Sequence, residues 1–332
     1  MITFKKMRCI ALSHYGSTDV MYIKETTIPK PKNEDILIKV DAIGVNRPDI
    51  MQRKGLYPAP RNASPILGLE VAGKIVEIGK NVINWDIGDE VCALVNGGGY
   101  AEYCIAHQGQ ALRYPEGYDA IKSSAIPETF FTVWANLFQN EKRYEQKSVL
   151  VHGGSSGIGT TAIQLLSSFG AKVYTTARSK EKCIACLKLG AKYAVNYLEE
   201  DFVKAIQKHT KGKGIDIIFD MVGAKYFNRN INLLNKGGKL ILISFLGGKN
   251  VKEFDLTPIM TQKLTITGST LRRRTDLEKQ LIRDELLLEV WPLLSSNHIK
   301  PIIHAVLPLE QASTAHNIME KSENIGKIIL TT

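Results

Sequence analysis

Residues 149–159, VLVHGGSSGIG, run from an apolar, strand-like segment into a glycine-rich turn that opens a helix-like one. Gly154 and Gly159 take the first and last glycine positions of a dinucleotide fingerprint, with Gly157 beside them and Ser156 in the middle. Glycine there lets backbone N–H groups approach a pyrophosphate, and the helix N-terminus adds a favourable dipole. Ser156 brings a hydroxyl and slight bulk where close approach is needed. The turn therefore reads as a cofactor cradle with one altered residue, or as a flexible turn. Further on, KVYTTARSKEK ends a second strand where NAD would want a carboxylate for its ribose 2′-hydroxyl, about 20 residues past the turn. That place holds Ala177, followed by Arg178, Ser179, Lys180 and Lys182. A missing acid beside a hydroxyl and several cations suits a 2′-phosphate, and predicts NADPH as the cofactor.

Other reactive residue types are present without a matching pattern. The five cysteines, Cys9, Cys92, Cys104, Cys183 and Cys186, form no disulfide framework and indicate a reducing compartment. Cys183 and Cys186 make a CxxC, but it lies in a helix-like stretch and no second pair completes a zinc site. Two helix-face thiols are expected. His152 ends a strand just before the turn, so a packed, hydrogen-bonded role is expected rather than proton transfer. Arg272, Arg273 and Arg274 form the strongest charge run. With no aromatic interleaving, the run is expected as a solvated loop or a contribution to the cofactor cleft, and no nucleic-acid partner is expected.

The elements that must position these groups follow from the patterning. A chain of 332 residues is expected to make two domains. Hydrophobic content of 44% with 23% charged residues is that of a globular chain. The net charge of +10 is scattered, so most of it is expected to be a solvated surface with some preference for anionic ligands. The basic N-terminus lacks a signal-peptide pattern, and no apolar run approaches the roughly 20 residues of a membrane span, so a cytoplasmic location is expected. The first third, with DILIKVDAIGVN, VAGKIVEIGKNV and GDEVCALV, predicts short strands of a small β-rich domain. ETFFTVWANLFQ predicts a helix. Strands and helices then alternate through KVYTTA, GIDIIFDMVG, KLILISFL and KLTITGST, which predicts a parallel sheet covered on both faces. DLEKQLIRDELLLEVWPLLSS predicts one long helix, and GKIILTT a strand that could return to the first domain.

The order of these parts resembles the medium-chain dehydrogenase/reductase superfamily. GVNRPDIMQRKGLY, ILGLEVAG, IGDEVCALVNGGGYAEY, AIPETFFTVW, VHGGSSGIGTTAIQ and NIGKIIL resemble zeta-crystallin-type quinone oxidoreductases, and most of all their tumour-suppressor-inducible branch, which also carries serine in the glycine turn. The resemblance implies an α/β fold: a doubly wound Rossmann sheet plus a GroES-like β-rich catalytic domain. The expected domains are residues 1–128, the Rossmann residues 129–270, and a return segment, 271–332.

Asn46 and Leu69 stand where the superfamily's alcohol dehydrogenases have zinc-binding Cys and His, leaving Glu70 alone, so no metal site is expected. The resemblance implies zinc-free hydride transfer to a quinone, with an enal or enone reductase as alternative and an NADPH- or RNA-binding protein as the reading from another class. It implies Asn46, Asp49 and Tyr57 beside the acceptor, in the cleft between the domains; a capping role for Asn46 and Asp49, and a surface position for Tyr57, stay open. It places cofactor contacts at Thr132, Ser156, Gly157, Ile158, Ser179, Lys182, Tyr197 and Asn324, with Leu246 and Gly247 on the nicotinamide side. Arg178 departs from the small residue usual in relatives and could strengthen NADPH selectivity or point to solvent. A homodimer through residues 264–270 is also implied.

Overall fold

The structure, a computed structural model, describes residues 5–332 except 140 and 142. It divides into two compact units. One runs from the N-terminus to Thr132 and adds Leu271–Thr332; the other is Val133–Thr270.

The first unit is built on a seven-stranded sheet around the strand Asp35–Val45. That strand pairs antiparallel with Glu70–Ile78, Tyr103–His107 and Lys327–Thr331. Its β-branched and aliphatic residues pack on both faces, and Ile36, Ile38, Ile43 and Val45 are fully enclosed with Val71, Ile75 and Ile328. Register shifts at Leu37/Ile38 and Val40/Ala42 bend the sheet, as bulges do. At Gly73 a Cβ would lie 1.9 Å from the Lys39 carbonyl, so the close strand approach there requires glycine. The strand Lys327–Thr331 pairs Ile328 with Val45 and so returns the chain end to this sheet. That register sets Lys327 beside Asn46.

The second unit has six parallel strands in the order Tyr193–Asn196, Lys172–Ala177, Ser148–His152, Ile215–Asp220, Leu234–Leu242, Thr265–Gly268. Numbered by sequence this is 3-2-1-4-5-6, the doubly wound dinucleotide-binding order. Leu150, Val195, Ile218 and Leu240 form its dry centre.

Three expectations need correction. The helix begun by ETFFTV is α-helical only over Pro127–Val133, and Trp134–Phe138 is a π-helical turn that stacks Trp134 on Phe138 at 4.8 Å. The long helix after the sheet is two, Asp276–Glu289 and Trp291–Ser295. Pro292, which has no N–H and crowds the preceding turn, restarts it. KLILISFL is not strand throughout: the strand stops at Leu242, and Phe245 and Leu246 are exposed. Cys183 and Cys186 lie buried and unpaired on the helix Lys180–Lys188. Among the described residues, no helix is long and apolar enough to cross a membrane.

Candidate functional site

The first unit gathers a buried ionic centre where the strand Asp35–Val45 turns into the helix Arg47–Arg53. Lys327 Nζ donates to Glu70 Oε1 at 2.6 Å, to Asn46 Oδ1 at 2.6 Å and to the Val45 carbonyl at 3.0 Å. Asn46 Nδ2 donates to Glu70 Oε1 at 2.8 Å and to the Gly44 carbonyl at 3.1 Å. The other carboxylate oxygen of Glu70 accepts the Glu128 backbone N–H at 2.8 Å. Charge and hydrogen-bond capacity are matched, which is what lets an ion pair sit in a dry interior.

Asp49 is held differently. It is 1% exposed; Oδ2 accepts from Asn46 N at 2.8 Å and from the Tyr100 hydroxyl at 3.2 Å, and Oδ1 from Gly68 N at 3.2 Å. Tyr100 Oη lies 2.9 Å from His316 Nε2, and His316 Nδ1 lies 3.1 Å from Arg53 Nη1. Arginine can only donate, so Nδ1 accepts, Nε2 carries the proton and donates to Tyr100, and Tyr100 donates to Asp49. Arg53 in turn bonds Glu320 at 2.8 Å. Burial, with Arg53 alongside, pushes His316 down to about 3 and keeps it neutral. Burial pushes Asp49 up to about 7 against these donors and Lys327. Asp49 caps the turn through the Asn46 N–H, and Gly68 N and the Tyr100 hydroxyl, from outside the turn, take its remaining acceptor capacity.

Tyr57 stands apart, half-buried, with its ring centroid 5.4 Å from the Arg272 guanidinium carbon. Burial and then Glu128 push its phenol upward. Glu128 is pushed up to about 8, by burial and then Glu70. Of the two readings left open for the charge run, the solvated loop does not hold for Arg272. It is 8% exposed, and Nε and Nη2 donate to the Asn96 carbonyl at 3.0 and 2.6 Å.

Sequence reasoning missed Lys327, Glu128, Tyr100 and His316. Lys327 and Glu128 were in motifs read only for their resemblance, and Tyr100 and His316 meet across 216 residues of chain. A catalytic zinc does not fit this centre. Asn46 and buried Leu69 replace its nitrogen and sulfur donors, and the Lys327 ammonium lies between Asn46 and Glu70.

In the second unit the glycine turn joins the strand Ser148–His152 to the helix Gly157–Ser168. Ser156 is the cap of that helix: Oγ accepts from Gly159 N at 3.0 Å and donates to the Gly153 carbonyl at 2.8 Å. A Cβ on Gly154 would lie 2.0 Å from Thr175 Oγ1, and one on Gly159 2.3 Å from the Gly153 carbonyl. Close helix–strand packing therefore demands both glycines. His152 is enclosed between Thr176 Oγ1 at 3.0 Å and Asn230 Oδ1 at 2.8 Å, the packed role expected. Ile158 sits in the helix's first turn.

At the carboxyl ends of the neighbouring strands, Ala177 is buried and Arg178 exposed. Ser179 caps the helix Lys180–Lys188, accepting from Lys182 N at 3.3 Å. The Tyr197 N–H bonds the Ala177 carbonyl at 3.1 Å, and the Arg178 charge acts on the Tyr197 phenol. Leu246 N and Gly247 N bond the carbonyls of Met221 and Val222 at 3.1 and 2.7 Å, over the end of Ile215–Asp220. Ser156, Gly157, Ile158, Arg178, Ser179, Lys182, Tyr197, Leu246 and Gly247 thus belong to one unit. Thr132 and Asn324 belong to the first, where Asn324 Nδ2 donates to the Gly326 carbonyl at 2.7 Å.

Residues 32–116 match the alcohol dehydrogenase GroES-like domain, and residues 157–284 the zinc-binding dehydrogenase family. The quinone oxidoreductase of Homo sapiens is 32% identical over 98% of this chain and 98% of its own. The chain belongs to the zeta-crystallin-like quinone oxidoreductases of the medium-chain dehydrogenase/reductase superfamily. Among solved structures of this superfamily, the quinone oxidoreductase of Escherichia coli complexed with NADPH superposes with a TM-score of 0.87 at 26% identity, covering 98% of this chain and 100% of that one. The JamJ enoyl reductase shares the fold, with a TM-score of 0.87 at 23% identity over 98% and 99%. Membership makes this chain an oxidoreductase with a nicotinamide-dinucleotide-binding fold and small-molecule substrates.

Proposed function

We propose that this oxidoreductase uses NADPH to reduce quinones and does so without zinc. The cofactor preference rests on one observation: Ala177 stands where NAD would want an acid, with Arg178, Ser179, Lys182 and Tyr197 gathered around the same strand ends. Gly154 and Gly159 leave the backbone approach that a pyrophosphate needs, and the Ser156 hydroxyl caps the helix without closing it. NADPH, when bound, supplies a hydride, which suits an electron-poor acceptor that needs no Lewis acid. The replacement of zinc donors by Asn46 and Leu69, with Lys327 between Asn46 and Glu70, supports zinc independence.

Asn46 and Asp49 fix the turn that starts the helix Arg47–Arg53, and both act as positioning residues. Tyr57 offers an aromatic face and a hydroxyl to the acceptor, a modest aid to the developing oxyanion. The edge strand Thr265–Gly268, paired on one side only, supports a homodimer, and five buried free cysteines support a cytoplasmic location. Reduction of an enal or enone is the second reading, favoured by the fold shared with the JamJ enoyl reductase.

The test is NADPH oxidation with an ortho-quinone before and after exhaustive dialysis against a chelator. Retained turnover supports the proposal. Turnover lost on dialysis and restored by zinc refutes zinc independence, and turnover of an enone but not the quinone moves the second reading to the front.

A further inference from the structure

Two buried cations in the first unit share one neutral partner. Lys279 is fully enclosed and its Nζ donates to Asn96 Oδ1 at 2.7 Å, while Arg272 uses Nε and Nη2 on the carbonyl of the same residue. Arg272 Nη1 is buried with no hydrogen-bond partner. Among the described residues, neither cation has a carboxylate within 4.0 Å, in contrast to the matched Lys327–Glu70 pair. The acids that act on the two from farther off are Asp276, Glu278, Glu128 and Asp49. Three are committed elsewhere: Asp276 to Gln110 at 2.7 Å, Glu278 to the Thr275 cap, and Asp49 to its turn. Glu128, pushed up to about 8, is held largely neutral at pH 7.

Buried charges are ordinarily paired, because removing an ion from water costs several kcal/mol. A guanidinium with a spare buried N–H and a second cation on the same asparagine together favour an anion. Tyr57, with its ring 5.4 Å from that guanidinium, adds a flat apolar face. We propose that Arg272, supported by Lys279 and Asn96, binds the carboxylate of a conjugated or aromatic small molecule whose flat body packs on Tyr57. A single spare guanidinium nitrogen suits one oxygen of a planar carboxylate, whereas a phosphate wants several converging donors. Nη1 is buried. Entry therefore moves the Tyr57 ring, which a surface loop carries between exposed Leu56 and Pro58, from the guanidinium onto the ligand. Combined with the function proposed above, on which this extension rests, the acceptor would be an acidic one.

The probe is cinnamate against neutral cinnamamide, by isothermal titration calorimetry on the whole protein. A charge-assisted hydrogen bond predicts about a tenfold preference for cinnamate in the wild type, weakened by salt. Arg272→Met should bring the two within about twofold and leave NADPH affinity unchanged. Arg272→Lys should keep part of the preference. Equal binding of the two probes, or a preference that survives Arg272→Met, overturns the proposal. So does a loss of NADPH affinity without a change in preference, which would assign Arg272 to the cofactor. Quinone turnover by a protein indifferent to the carboxylate would refute this site alone; carboxylate selectivity without turnover would refute only the quinone reductase reading.

Discussion

Lys327 Nζ lies 2.6 Å from Glu70 Oε1, with the two side chains 4% and 0% exposed. Strand register alone brings them together across 257 residues of chain. Removing one partner leaves the other charge buried and uncompensated, at about 3–5 kcal/mol. Lys327→Met is expected to lower stability by that amount in urea unfolding. Adding Glu70→Gln to it should recover a substantial part. A double variant as unstable as the sum of the singles would contradict the pairing.

Asp49 and His316 give the first unit a defined pH response. Asp49 is raised from 3.8 to about 7, so the folded chain holds that proton more tightly than the unfolded one. Its contribution is full below pH 3.8 and is lost as pH rises through 7. His316 is lowered from 6.5 to about 3, so its contribution is full above pH 6.5 and is lost as pH falls toward 3. Between about pH 4 and 6.5 the two slopes oppose each other, each about 1.4 kcal/mol per pH unit. His316→Gln removes one of them. Urea unfolding of that variant between pH 5 and 6.5 should show stability rising more steeply on acidification than in the wild type; parallel curves would refute the assignment.

The packing at the glycine turn predicts a graded series. Gly154→Ala and Gly159→Ala place a methyl 2.0 and 2.3 Å from fixed atoms. Each should cost about 1–3 kcal/mol and weaken NADPH binding. Ser156→Ala loses only the cap, about 1 kcal/mol, and should bind the cofactor nearly as well. Fluorescence titration with NADPH orders the three; Ser156→Ala as the worst binder would show a direct cofactor contact instead.

Arg178 is exposed, so its removal should leave the fold intact. Arg178→Ala is expected to weaken NADPH by about tenfold, one charge-assisted contact, and to leave NADH unchanged. Equal weakening of both would mean that Arg178 does not read the 2′-phosphate.

The parallel, doubly covered sheet was legible in the sequence because most strands of the second unit are locally apolar and bounded by turn residues, whereas their order was not. Local pattern failed where a neighbour decides. Pro292 ends a helix whose periodicity runs on, and the π turn at Trp134–Phe138 coincides with a ring stack that helical periodicity does not signal. In the site, Asn46 and Asp49 could be singled out and a capping role left open, but the choice depends on Lys327, Tyr100 and His316 arriving from distant parts of the chain. Arg272 read as part of a solvated loop or of the cofactor cleft. Only the position of Asn96 shows that it is buried.

The most direct measurement is the rate of NADPH and NADH oxidation, side by side, with an ortho-quinone and with a simple enone. Rapid turnover of NADPH with the quinone and little of NADH is expected. Equal use of both cofactors would contradict the reading of Ala177, Arg178, Ser179 and Lys182, and no turnover despite tight NADPH binding would contradict the enzyme itself.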